Sequence, residues 1–249
     1  MQPVWQQTAR WAVGAPPAPP RRARNRTAAI LPAMKFLHAS FQPAGDGPFP
    51  TVIALHGHGA HALDLIGLSQ HLPQGLLWLC PQAENTVEED FYGFTWFHFG
   101  RDDPKRNEEI DGVIDDLRAF FAEAAERYPI DPERTVLLGF SQGGMLAYRL
   151  ALTQPQRFAG LAALSTTLSA DSADTLTPSD ELKALPVLVQ HGTQDPMIAV
   201  DRARESRERL ETMGVDLEYH EYEMGHQIGT ESSHDLAVWL SSVLKLDQP

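Results

Sequence analysis

A single α/β domain, with a mostly parallel central sheet flanked by helices and no large cap, is the fold class that this sequence predicts, on three observations. Short apolar runs of strand length, Thr51–Leu55, Leu76–Cys80, Val136–Leu138 and Pro186–Gly192, recur along the chain. Helical patterns stand between them, which is the order that builds parallel strands joined by crossover helices covering both faces. The length, 249 residues, suits one domain of this class, commonly about 200–250 residues, and leaves little room for two.

Residues 1–30 are rich in Pro, Ala and Arg, a composition that buries little surface and predicts a flexible N-terminal extension. Residues 31–249 form the expected domain. Trp5 and Trp11 are the apolar exceptions in the extension. A transit peptide, or a true start at Met34, are alternatives that stay open. From Met34 the chain predicts a strand over Lys35–Phe41, a Gly/Pro turn at Pro43–Pro50, and a buried strand at Thr51–Leu55 running into His56-Gly57-His58-Gly59. A helix carrying Leu63, Ile66 and Leu68 follows, then the strand Leu76–Cys80, which Pro81 ends. Residues 83–106 break the alternation. They hold Phe91, Tyr92, Phe94, Trp96, Phe97 and Phe99 without helical or strand period, well above the chain's 8% aromatic content. About half of such rings pack under their own loop, and Phe91, Tyr92, Phe94, Trp96 and Phe97 are the candidates to contact substrate.

Asn107–Tyr128 is the clearest helix, with Ile110, Val113, Ile114, Leu117, Phe120, Phe121 and Ala124 three and four apart and acids in its first turns, where the helix dipole favours them. The chain then passes Pro129 and Pro132 to the strand Val136–Leu138, and a helix over Gln142–Leu152 follows at once. Phe158–Leu164 is a further apolar run and Ser169–Asp180 a polar loop. The strand Pro186–Gly192 leads to Asp195; a helix over Asp201–Met213 and an alternating strand through Val215, Leu217 and Tyr219 lead to His226; a helix over His234–Leu246 closes the chain.

Charge narrows the function. With 20 basic and 33 acidic residues the formal charge is −13, which opposes nucleic acid or an anionic membrane as the main partner. The five arginines of residues 1–27 have no acid among them, so the body is more acidic still. No run reaches the 18 or so apolar residues of a membrane span, and prolines interrupt the N-terminal segment where a secretory signal needs a continuous apolar centre. One cysteine, Cys80, excludes an internal disulfide and is compatible with a reducing compartment. A soluble, cytoplasmic protein is expected.

The chemistry centres on Gly139-Phe140-Ser141-Gln142-Gly143. A strand before and a helix after put Ser141 at a sharp corner, where glycines relieve the contact between crossing backbones and the hydroxyl stands at the carboxyl edge of the sheet. A serine hydroxyl is a poor nucleophile at neutral pH and needs a histidine base and an orienting acid. Asp195 and His226 both follow strands, and they come in the order Ser, Asp, His that such a corner requires. His220 lies within a strand pattern, His234 opens the last helix, and His191 ends a strand as a packing residue. The negative oxygen of an acyl-transfer intermediate needs backbone donors, expected from the N–H groups of Gln142 and His58.

These four motifs, Leu55–Gly59, Gly139–Gly144, His191–Pro196 and Met224–His226, together resemble the phospholipase/carboxylesterase family of α/β hydrolases over about residues 34–246. The resemblance implies a compact serine esterase without metal or cofactor, cleaving small-molecule esters or thioesters through an acyl-enzyme. The aromatic loop, the lack of a basic anchor for a phosphate head group and the acidic body favour short-chain or aromatic carboxylic esters, with lysophospholipid or acyl-protein thioester as the alternative. Two other classes compete with this reading. A dinuclear metallohydrolase would use His56, His58 and His61, but Ala60 stands where that motif needs an aspartate. A non-catalytic ligand-binding relative would usually have lost a member of the triad, and none is missing here.

Overall fold

The computed structural model describes residues 34–87, 93–98, 106–174 and 176–246. The expected extension, residues 1–30, lies outside them, as do Phe91, Tyr92 and Phe99. The compact unit begins at Met34.

Seven strands form the main sheet: β1 (His38–Phe41), β2 (Phe49–Leu55), β3 (Leu77–Pro81), β6 (Ile130–Phe140), β7 (Gly160–Leu164), β8 (Pro186–Gly192) and β9 (Asp216–Tyr222). Their order is β1-β3-β2-β6-β7-β8-β9. Only β1 runs antiparallel, pairing with β3 at the sheet's edge; the other neighbours are parallel. Helices α1 (Ala62–Ile66), α2 (Arg106–Arg127), α3 (Gln142–Thr153), α6 (Val200–Met213) and α7 (Thr230–Val243) make the crossovers and the closing element. Among the described residues no helix is long and apolar enough to cross a membrane.

The uniformly apolar strands serve two cores, because successive side chains of a strand point to opposite faces. Ile53, Leu55, Leu137, Leu161, Val187 and Val189 pack with Leu117 and Phe120 of α2, Leu146 and Leu150 of α3 and Leu210 of α6. Their neighbours Val52, Ala54, Val136, Leu138, Ala162 and Leu188 face the other way, against Leu65 of α1 and Leu236, Trp239 and Leu240 of α7. Ile110, Ile114, Leu117, Phe121 and Ala124 of α2 are all buried, as their spacing predicts.

Four segments differ from expectation. The polar loop Ser169–Asp180 contains a short helix, α4 (Ala170–Asp174), and runs into another, α5 (Asp180–Lys183). Ser169 Oγ accepts from Ser172 N–H at 3.2 Å and Ser179 Oγ from Leu182 N–H at 3.1 Å; a capping hydroxyl plus one buried residue each, Ala173 and Leu182, suffices in a polar segment. The last helix starts at Thr230, one turn before His234, because Gly229 N–H donates to Ser232 Oγ at 2.9 Å and satisfies an end that carries no apolar signal. The strand into the serine corner begins at Ile130 and passes through Pro132, with a register shift against β2 between Phe49 and Thr51, where proline has no N–H to give the ladder. A two-stranded ribbon, β4 (Asn85–Thr86) with β5 (Phe94–Thr95), also orders part of the aromatic loop.

Candidate active site

Ser141 sits between β6 and α3 with φ 53° and ψ −117°, a left-handed conformation that costs about 1–3 kcal/mol in a non-glycine residue and persists only where its surroundings impose it. Those surroundings are visible. Ser141 N–H donates to Leu164 O at 3.0 Å, and Thr166 Oγ1 donates to Ser141 O at 2.7 Å. A Cβ on Gly139 would stand 2.5 Å from the Gly143 carbonyl oxygen, and one on Gly143 would overlap the Leu55 carbonyl oxygen. The two glycines let helix and strands approach closely enough to hold the turn.

Asp195 lies three residues beyond the end of β8. Its Oδ1 accepts the N–H groups of Met197 (2.8 Å) and Ile198 (2.9 Å), and Oδ2 lies 2.7 Å from His226 Nδ1. The carboxyl is shut off from solvent. Burial alone would raise its pKa, but the Ile198 N–H, the His226 ring and the Met197 N–H together outweigh it and hold the group below its ordinary 3.8. An ionised carboxylate only accepts, so the proton between them belongs to His226 Nδ1. His226 Nε2 then presents its lone pair to Ser141 Oγ, 2.9 Å away. The Phe140 ring packs against the imidazole at 4.9 Å between centroids. Three side chains from the carboxyl ends of β6, β8 and β9 thus form one hydrogen-bonded chain, able to take a proton from the serine hydroxyl.

His191, expected to be a packing residue, is wholly buried and supports this chain from behind. Its Nε2–H donates to Ile198 O at 2.8 Å and lies 3.4 Å from Asp195 Oδ2. It thereby fixes the turn whose N–H groups hold Asp195. The signal for it in the sequence is its place at the head of the His191–Pro196 motif, four residues before the aspartate.

Gln142 and His58, the expected oxyanion donors, flank Ser141. Gln142 opens α3, and the N–H groups of a helix's first turn have no acceptor within the helix. Gly57 lies so close that a Cβ there would be 3.2 Å from Ser141 Cβ, and His58 follows it. His56 is buried and neutral: Ala83 N–H donates to its Nε2 at 3.1 Å and its Nδ1–H donates to Gly57 O at 2.7 Å. Burial drives its pKa down to about 4. His61 Nδ1 accepts from Leu63 N–H at 3.2 Å and caps α1. His56 and His61 therefore spend nitrogens on backbone groups. Among the described residues no three His, Cys, Asp or Glu side chains are grouped to hold a metal ion.

The aromatic residues divide. Phe94 is half-buried. Trp96 is buried, edge-on to Phe36 at 5.6 Å and against His56 at 4.9 Å, with its indole N–H on His56 O at 2.8 Å. The expectation that Trp96 lines a substrate pocket is corrected: an indole packed in the core with its one donor satisfied has no face left for substrate. Phe97 is buried in the core too; it borders a small cavity of about 40 Å³ whose walls mix apolar Ile110, Met145 and Leu168 with polar Arg149, Thr167 and Ser172. A groove of about 940 Å³ opens at the amino ends of β7, β8 and β9, lined in part by Pro186, Asp216 and Trp239. It lies at the edge of the sheet opposite Ser141, away from the chemistry.

Comparison with known proteins shows the family. A family model described as Phospholipase/Carboxylesterase matches residues 38–244. Acyl-protein thioesterase 1 of Gibberella zeae is 30% identical over 220 residues, covering 81% of this chain and 94% of that protein. A probable carboxylesterase of Oryza sativa subsp. japonica is 27% identical over 181 residues, covering 69% and 67%. Among solved structures, esterase PE8 superposes with a TM-score of 0.74 at 24% identity, over 84% of this chain and all of that one.

Proposed function

Because the chain belongs to the phospholipase/carboxylesterase family of α/β hydrolases, we propose that it is a serine carboxylesterase that cleaves short-chain or aromatic carboxylic esters through an acyl-enzyme. Family membership makes it a carboxylic ester hydrolase; the residue roles and the acyl range are the proposal. One observation carries it: the unbroken run of hydrogen bonds from Asp195 through His226 to Ser141, at 2.7 and 2.9 Å.

Ser141 Oγ attacks the ester carbonyl carbon as its proton passes to His226 Nε2. Asp195, still ionised, stabilises the imidazolium that results. The carbonyl electrons move onto oxygen, which takes hydrogen bonds from the Gln142 and His58 N–H groups, each such donor typically worth about 10²–10³ in rate. The carbon–oxygen bond to the alcohol then breaks, and Nε2–H protonates the leaving alkoxide. Water repeats the sequence on the acyl-enzyme, giving its proton to Nε2, and Ser141 is released with the carboxylic acid. Every proton taken is returned, so no cofactor is consumed.

The short or flat acyl group is the reading favoured by the aromatic loop and by the acidic charge balance of the chain, 20 basic against 33 acidic residues. The relative named acyl-protein thioesterase supports a second reading, in which the leaving group is a thiol and the acyl-enzyme is the same. Ser141→Ala should lower hydrolysis of a nitrophenyl ester on the order of 10⁶-fold with an unchanged melting temperature. Full activity in a verified Ser141→Ala preparation overturns the assignment. Nitrophenyl esters from acetate to palmitate, hydroxycinnamate esters and an S-acyl peptide, compared by kcat/KM, separate the two readings.

A further inference from the structure

The Gln142 side chain is wholly buried, although it leads away from the reacting atoms. Its Oε1 accepts from Trp96 N–H at 2.9 Å, and its Nε2 donates to Phe97 O at 2.6 Å and to Thr95 Oγ1 at 3.0 Å. The Thr95 hydroxyl lies 2.8 Å from Phe97 O, 3.1 Å from Gln142 Oε1 and 2.9 Å from His58 Nδ1. A hydroxyl has one proton and two lone pairs. Giving the proton to Phe97 O, its closest acceptor, leaves the lone pairs for Gln142 Nε2–H and His58 Nδ1–H. All of its capacity is then used, and His58 is set as the Nδ1–H tautomer.

The two residues whose backbone N–H groups face the oxyanion in the proposed mechanism therefore send their side chains to the same buried hydroxyl. The same short segment is tied to the His58 loop through its backbone, by Gly59 N–H on Phe94 O and Phe94 N–H on Ala60 O, each 2.9 Å, and by Trp96 Nε1–H on His56 O. Gln142 belongs to α3, whereas His58 belongs to the loop after β2. No covalent link between them is shorter than the whole intervening chain, and Thr95 bridges them in two hydrogen bonds.

We propose that Thr95 is a positioning residue of the reaction: its hydroxyl sets the separation of the Gln142 and His58 N–H groups, and so the geometry of the oxyanion site. The proposal rests on the serine-esterase reading. Donors must lie about 2.7–3.1 Å from the oxygen as it becomes tetrahedral, and a supporting shell that loosens by about 0.5 Å or more degrades such a site. The substrate's ground state needs no such spacing, so the loss belongs in kcat and not in KM.

The test compares wild type with Thr95→Val, which keeps the shape and removes the hydroxyl, Thr95→Ser, which keeps the hydroxyl, and His58→Ala, which removes an exposed ring and retains the backbone N–H. Thr95→Val should lower kcat for a nitrophenyl ester about 10–100-fold, below the loss of a whole donor, with KM within about twofold. Affinity for phenylboronic acid, a tetrahedral analogue, should fall by the same factor. Thr95→Ser should restore most of the rate, and Thr95→Val/His58→Ala should lose little beyond the larger single effect, because the Thr95–His58 hydrogen bond is already lost in either single variant. Unchanged kcat and boronate affinity, a loss confined to KM, or effects of Thr95→Val and His58→Ala that simply multiply would each overturn the proposal. If Thr95→Val does not fold, wild-type kcat and boronate affinity in His58→Ala overturn it and a matched loss in both supports it. A fluorophosphonate separates this failure from that of the parent reading: an unlabelled Ser141 in wild type defeats the esterase mechanism, whereas a labelled Ser141 with an indifferent Thr95→Val defeats the positioning role alone.

Discussion

His56 shows how one side chain can stabilise the fold at neutral pH and weaken it in acid. Both of its nitrogens are committed to backbone groups, and burial lowers its pKa from 6.5 to about 4. The unfolded chain therefore takes up a proton on this ring through a range in which the folded protein does not. Its contribution is complete above about pH 6.5 and is lost as pH falls from there to about 4, on the order of 3 kcal/mol in all. Urea unfolding at pH 7.5 and 5 should show the wild type losing more stability than His56→Gln over that interval. Equal losses would mean that the ring titrates in the fold as it does in the open chain. Asp195 has the same sign at lower pH: its depressed pKa stabilises the fold above the ordinary carboxylate range, an effect lost as pH falls through the folded value.

The strand β6, the turn at Ser141 and the helix α3 act as one unit, because the turn survives only while helix and strands stay in contact. Gly143 is the tightest point. A Cβ there meets the carbonyl oxygens of Leu55 and His56, which are backbone atoms and cannot rotate aside. Gly143→Ala should destabilise the protein by about 1–3 kcal/mol and depress turnover beyond that, since the displaced residues lead into His58; chemical denaturation and kcat on the same preparation check both. Elements of this kind were legible in the sequence. Val136–Leu138 followed by Gly-Phe-Ser-Gln-Gly carries a strand, a close approach and a helix in adjacent letters, and α2 announces itself by Ile110, Ile114, Leu117 and Ala124. The helix α4 and the first turn of α7 were not, because Ser169, Ser232 and their neighbours cap helices with the same polar residues that make loops. Trp96 was misplaced for a related reason: aromatic composition marks burial without saying whether the buried face meets substrate or core.

Across the whole molecule, the sheet does the positioning. Parallel strands β6, β8 and β9 end along one edge, and Ser141, Asp195 and His226 follow those ends, so residues 31 and 85 positions from His226 in the chain come within 2.7 and 2.9 Å of it. Order along the chain and placement after strands were enough to nominate them. What no pattern of letters could reveal is the cross-linking of the Phe94–Phe97 segment to His58 and Gln142, since those contacts join three segments with no common period. The bearing of this arrangement on catalysis is tested most directly by rapid mixing with a nitrophenyl ester, followed by acid quenching and mass mapping of the protein. The expected result is a burst of nitrophenol close to one equivalent per protein molecule, with the acyl group on Ser141, and neither in Ser141→Ala. Linear release from time zero in wild type, with acyl mass on another residue or the same turnover in Ser141→Ala, would contradict it.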